Sequence, residues 1–267
     1  MITIAAVVLL AQAVLFPQPV HLTRQITDPF SPTPIVVEQY CYGNRLVTVR
    51  GARTTIADYE RNELTEIDRD AGTYSITSFE DVARATAGPY TAATKASAKQ
   101  KQWTVNPKTA RASKLGRNAE VFELSQETAM QSETIEVSID RTIELSPAAA
   151  DVLLGVAYPS QKNGSTDAVL NVARARRGLD VASSSTTGAT ANANDPIGLP
   201  IEQITRIEVE GERLEHRDVV VHVGRELPDP TLIALPPNAT RVESQLTLRA
   251  RVLEEIDRPL PPAAAKP

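Results

Sequence analysis

Cysteine occurs once in the 267 residues, at Cys41, so no internal disulfide can form. Glu38-Gln39-Tyr40 ahead of it lacks the small apolar residues of a lipid-attachment site, and Tyr40 and Tyr42 flank it in a strand-like run. It reads as a small buried hydrophobe, with a reactive thiol as the alternative. Aromatic residues make up only 4%, too few to assemble stacking platforms for bases or sugars. An excess of basic residues is also missing: 28 Lys and Arg stand against 33 Asp and Glu, a net charge of -5 with the signs interspersed. Nucleic acid is excluded, because phosphate binding requires a concentrated basic face.

The sequence also lacks phosphate-binding glycine loops, the H-E-x-x-H helix and any G-x-S-x-G nucleophile turn. Histidine occurs three times, as His21, His216 and His222. The last two fall in one strand-like run, where six residues span about 20 Å, too far to share an ion. Asp68-Arg69-Asp70 is not followed by a twelve-residue oxygen-ligand loop, so turn chemistry explains it better than calcium. The sequence therefore predicts no enzyme, no metal and no cofactor.

The N-terminus supplies the compartment. An apolar run from Ile2 to Leu10 leads to Ala11-Gln12-Ala13, the small-x-small form of a signal-peptidase site. Residues 1–13 are expected to be a signal peptide and the chain periplasmic or secreted, although no Lys or Arg precedes the run. An uncleaved anchor is the competing reading, but the apolar stretch ends at Pro17, short of the roughly 20 residues that span a bilayer. No other segment is long and apolar enough to cross, so no transmembrane span is expected after signal removal. Residues 14–34 hold five prolines without periodicity and read as an extended lead-in.

From residue 35 the pattern is strand-like. Arg45 to Arg50, Thr54 to Tyr59, Glu63 to Asp68 and Thr73 to Thr77 are rich in β-branched residues and are separated by Gly, Asn and Asp turn signals, which predicts an antiparallel meander of four strands. Leu64 and Ile67 fall on opposite parities of the third run, which suggests a bulge or a short edge segment. Ser78 as cap, acids in the first turn and Gly88-Pro89 as a stop predict a short helix. Residues 91–117 read as a flexible crossing or a lid, and Ala119 to Leu124 and Thr134 to Asp140 as strands. Ser146-Pro147 opens a helix over 148–157, followed by a second amphipathic set at 167–177. Residues 182–194 read as a mobile loop, Gln203 to Glu210 and Arg213 to Val223 as strands, 241–253 as a final strand or helix edge, and 257–267 as a disordered tail.

A chain of this length fits one domain, over 35–256. The order of an N-R-L-V-T-V strand, T-T-I-A-D-Y, L-T-E-I-D, T-Y-S-I-T and a short helix, with L-P-I-E-Q-I-T-R-I-E-V and L-I-A-L-P-P-N-A in the second half, resembles the outer-membrane lipoprotein-sorting superfamily of Lol-type carriers and a related secreted domain of unknown function. The resemblance spans roughly residues 35–245. It implies an α+β fold: a curved antiparallel sheet, or incomplete barrel, with short helices covering the concave face, which in the carriers receives acyl chains. Candidate residues for that face are Ile56, Tyr74, Ile76, Ile135, Val137, Ile207, Val219 and Val221. The same residues would equally make a filled core. The expected function is an exported envelope binding module holding an apolar or acylated ligand, the possible partner being lipid. The alternative is an envelope structural or sensor protein that works through protein contacts.

Overall fold

The computed structural model describes residues 14–87, 103–113, 115–127, 131–154, 168–170, 172–173 and 196–257. The expected signal peptide, the 182–194 loop and the tail beyond Asp257 lie outside the described residues, as do most of 167–177 and the first part of the 91–117 segment.

The first half is a six-strand meander: β1 (Phe16–Asp28), β2 (Ser31–Gly43), β3 (Arg45–Arg50), β4 (Arg53–Asp58), β5 (Glu63–Asp68) and β6 (Thr73–Ser78), then helix α1 (Phe79–Ala87). The second half contains β7 (Thr104–Ala112), β8 (Asn118–Glu127), β9 (Gln131–Leu145), helix α2 (Pro147–Leu154), β10 (Ile197–Val209) and β11 (Glu212–Gly224). A short turn of helix α3 (Pro230–Ile233), the two-residue strand β12 (Thr240–Arg241) and helix α4 (Gln245–Asp257) follow. All twelve strands join one open sheet in the order β12-β6-β5-β4-β3-β2-β1-β11-β10-β9-β8-β7. Every pairing is antiparallel except the short parallel one between β12 and β6. The two meanders are thus joined where β11 returns to lie beside β1.

Local chemistry sets the turns. Asp58 Oδ1 accepts from the backbone N–H groups of Glu60 and Arg61, and Asp68 Oδ1 from that of Ala71. Asn62 and Gly72 take the positive φ the reversals need. Ser78 and Ser146 cap their helices by accepting from the N–H of Asp81 and Ala149.

Several elements differ from the sequence reading. The proline-rich stretch read as a lead-in forms β1 and the start of β2, and β1 lies in the middle of the sheet. Its prolines are placed where they do no harm. The β1–β2 ladder skips from Phe16 to Val20, past Pro17 and Pro19, and Pro29 lies in the hairpin turn. Residues 104–112 form the edge strand β7 rather than a loop. The 241–253 segment is mostly helix α4. β5 pairs in unbroken register on both sides, with no bulge, and is internal.

The β5 parity is explained by what covers each face. Directly opposed residues share a face, so the register groups Cys41, Leu46, Ala57 and Leu64 on one side. These four belong to one buried cluster with Phe79 and Val82 of α1, Ala149 and Leu153 of α2, residues 168–170 and 172–173, and Phe122, Leu124, Ile135, Val137 and Ile139 of the second meander. The opposite side carries Val47, Ile56, Ile67 and Tyr74, of which Val47 and Ile67 are fully buried. There the chain after β11 lies over the meander: α3 packs on β4, and Arg69 donates to the Leu232 carbonyl at 2.6 Å. β12 then pairs along β6 and α4 packs against α1. The last 30 described residues therefore wrap the β6 edge, one face to the other.

Candidate functional site

On the face bearing the main cluster, a cavity of about 650 Å³ opens where the start of β1, the end of β9, the end of β11 and the first turn of α2 meet. Its apolar wall comes from Leu15, Phe16, Val20, Ile143, Leu145 and Val223. Arg117 and Arg225 add two guanidinium groups, and Glu144 a carboxylate. Arg117 pairs with the fully buried Asp140 at 3.3 Å, and Arg225 hydrogen-bonds the neutral Gln18. The cavity exists because β1 pairs with β11 only from His21 onward. Its first residues, with Pro17 and Pro19 unable to donate, are left as a rim.

On the other face, just across β1, four titratable side chains and a tyrosine converge. His21 is stacked on Tyr40, its β2 neighbour, with ring centroids 4.3 Å apart and planes 7° from parallel. Its Nε2 lies 2.5 Å from Glu38 Oε2, and its Nδ1 3.1 Å from Glu226 Oε2. The Tyr40 hydroxyl donates to the same Glu38 oxygen at 3.2 Å. His222 of β11 stands edge-on to His21 at 5.2 Å, with its Nε2 3.8 Å from Glu226 Oε2. A ring flanked by carboxylates at both nitrogens donates to both when it carries two protons, or exchanges one of them for a cation. The Glu226 carboxyl is held below its usual range, first by a bond from its own backbone N–H and then by His21. Burial raises the Tyr40 phenol, and the charges of Glu38, Glu226 and Asp229 add to this.

Further along that face, Glu202 of β10 is buried between Arg111, at 2.9 Å, and Arg217. Arg111 also pairs with Glu136 at 2.7 Å. Burial pushes the Glu202 carboxyl up, but the hydrogen bonds from Arg217 and Arg111 outweigh it and hold it below the ordinary range. Apart from a hydrogen bond from Arg111 to the Ser138 hydroxyl, the contacts here are ion pairs, so the row reads as cross-strand pairing. Burial pushes the Cys41 thiol up to about 12, leaving no thiolate for chemistry.

The eight sequence-derived candidates fall on both faces. Ile135 and Val137 are buried in the main cluster. Ile56, Tyr74 and Ile76 lie on the opposite face and are half-buried; Val219, also on that face, is buried beside Glu202. Ile207 is half-buried opposite Leu214, and Val221 sits at the β1–β11 irregularity. None of the eight lines the cavity. The histidine cluster was not legible either. Spacing along one strand could only separate His216 from His222, whereas His21 and His222, 201 positions apart, meet through the β1–β11 pairing.

Among the described residues no helix is long and apolar enough to cross a membrane. No family model matches the chain, and no curated protein matches it significantly. A solved structure, "Structure of PNGF-II in C2 space group", is similar at a TM-score of 0.35 and 8% identity over 89% of this chain. The chain spans about a third of that protein's length, 33%, and a likeness this slight carries no argument for fold or activity.

Proposed function

We propose that the chain is an exported, non-enzymatic binding module of the cell envelope that holds an apolar or acylated ligand in the cavity between β1, β9, β11 and α2. The carrying observation is the make-up of that cavity: about 650 Å³ walled by Leu15, Phe16, Val20, Ile143, Leu145 and Val223, with Arg117 and Arg225 on its lining. Small-molecule sites occupy about 300–1,000 Å³. An acyl chain would gain roughly 0.8 kcal/mol per buried methylene against such a wall. A carboxylate or phosphate head group would pair with the guanidinium groups.

In this proposal the sheet is the curved half-barrel of the lipoprotein-sorting carriers it resembles, with α1 and α2 roofing the concave face. Support comes from the shared burial of Phe79, Val82, Ala149 and Leu153 with strand residues of both meanders. The short apolar leader supports export.

Native mass spectrometry of the chain purified from its producing cells, together with displacement of a fluorescent fatty acid, tests the proposal. The expected result is an acyl-lipid adduct and saturable displacement, both lost in Ile143→Asp. A folded wild-type protein with no adduct and no saturable displacement would contradict it.

A further inference from the structure

We propose that His21, His222 and Glu226 form a binding site for a first-row divalent transition metal ion, with zinc as the reference ion and Glu38 as the carboxylate that orients His21. One donor atom from each of the three residues lies within 4.8 Å of the others. Glu226 Oε2 stands 3.1 Å from His21 Nδ1 and 3.8 Å from His222 Nε2. A tetrahedral ion with bonds of about 2.1 Å holds its donors roughly 3.4 Å apart, so these separations bracket what the ion requires.

Two imidazole nitrogens and one carboxylate oxygen make a donor set suited to zinc, copper, nickel or iron rather than to calcium or magnesium, which take oxygen. The surroundings fit as well. A metal-bound imidazole commonly donates its other N–H to a carboxylate, and His21 Nε2 lies 2.5 Å from Glu38 Oε2. Tyr40 fixes the ring plane by stacking and steadies Glu38 through its hydroxyl. Three protein donors leave one coordination position for water, on the side where His222 and Glu226 are half or more exposed.

Gly224 leaves room for this arrangement. It lies directly opposite His21 in the β1–β11 ladder. A Cβ built there would stand 1.8 Å from Glu226 Oε2. The missing side chain therefore makes the space into which the Glu226 carboxylate folds to reach His21. The site does not depend on the cavity reading, since each can fail without the other.

Isothermal titration of the metal-free full chain with zinc chloride tests the proposal, with calcium chloride as the contrasting ion. One zinc per chain with saturable binding is expected, and calcium should give no saturable heat. His222→Ala and Glu226→Gln change exposed side chains, and their folding is checked by circular dichroism. Each should weaken zinc binding at least about tenfold, as should Gly224→Ala, which removes no ligand. Glu38→Gln should weaken it by about tenfold through loss of the orienting hydrogen bond. His216→Ala, outside the cluster, should leave it unchanged. Absence of saturable zinc binding, or affinity unaltered in folded His222→Ala and Glu226→Gln, would overturn the assignment.

Discussion

The two meanders of the sheet use the same antiparallel pairing but bury it differently. In β3–β6 both faces carry fully buried side chains: Leu46, Ala57 and Leu64 on one, Val47 and Ile67 on the other. In β8–β10 the apolar set Phe122, Leu124, Ile135 and Val137 belongs to the cluster shared with α1 and α2, while Glu136 and Glu202 form an ion-paired row with Arg111 and Arg217 behind it. The chain after β11 lies over the first meander, where α3 packs on β4, β12 pairs with β6 and Arg69 holds the Leu232 carbonyl. The second face of β8–β10 is not bare, since Val121 and Ile204 are buried there among the charged groups; its polar side chains alternate with the apolar set because partners on neighbouring strands satisfy them.

This contrast can be broken by mutation, and the largest effects belong to the doubly buried half. Leu64→Ala and Ile67→Ala should each destabilise by about 2–4 kcal/mol in chemical denaturation although they lie on opposite faces. In the second meander, Ile135→Ala should cost a similar amount, whereas Thr134→Ala on the other face should stay within about 0.5 kcal/mol. Equal costs at positions 134 and 135 would erase the distinction.

Next in size is Glu202→Gln, which leaves two guanidinium groups without their shared carboxylate and should cost about 1–3 kcal/mol at neutral pH. The Glu202 carboxyl titrates below its ordinary 4.5, so its contribution is present above the unfolded value and is lost as pH falls through the folded one. The gap between wild type and variant should therefore close on acidification below about pH 4.5 in denaturation curves. A gap that widens would contradict the ion-pair assignment. The smallest effect concerns the overlying segment itself. Arg69→Ala, which removes the bond to the Leu232 carbonyl, should cost about 1 kcal/mol and raise amide exchange in residues 229–234.

How much was readable from residues alone follows the same division. β3, β4, β5 and β6 were placed within a residue or so because Gly51, Asn62 and Gly72 punctuate them and Thr, Ile and Val fill them. The parity of Leu64 and Ile67 looked like a bulge because nothing local announces that residues 225–244 will cover the second face. β1 is masked in the sequence by Pro17 and Pro19, which fall in the gap where its ladder skips from Phe16 to Val20. The histidine cluster and the cavity share that origin: both are assembled at the β1–β11 seam, and a long-range pairing leaves no periodic trace in the sequence.

The ligand proposal and the contrast between the halves meet in one measurement, hydrogen–deuterium exchange of the full chain with and without a long-chain fatty acid. Protection should appear in residues 15–20, 142–149 and 223–225 around the cavity, with the doubly covered strands β3–β6 unchanged. No protection at the cavity under saturating fatty acid, or protection confined to β3–β6, would contradict the account.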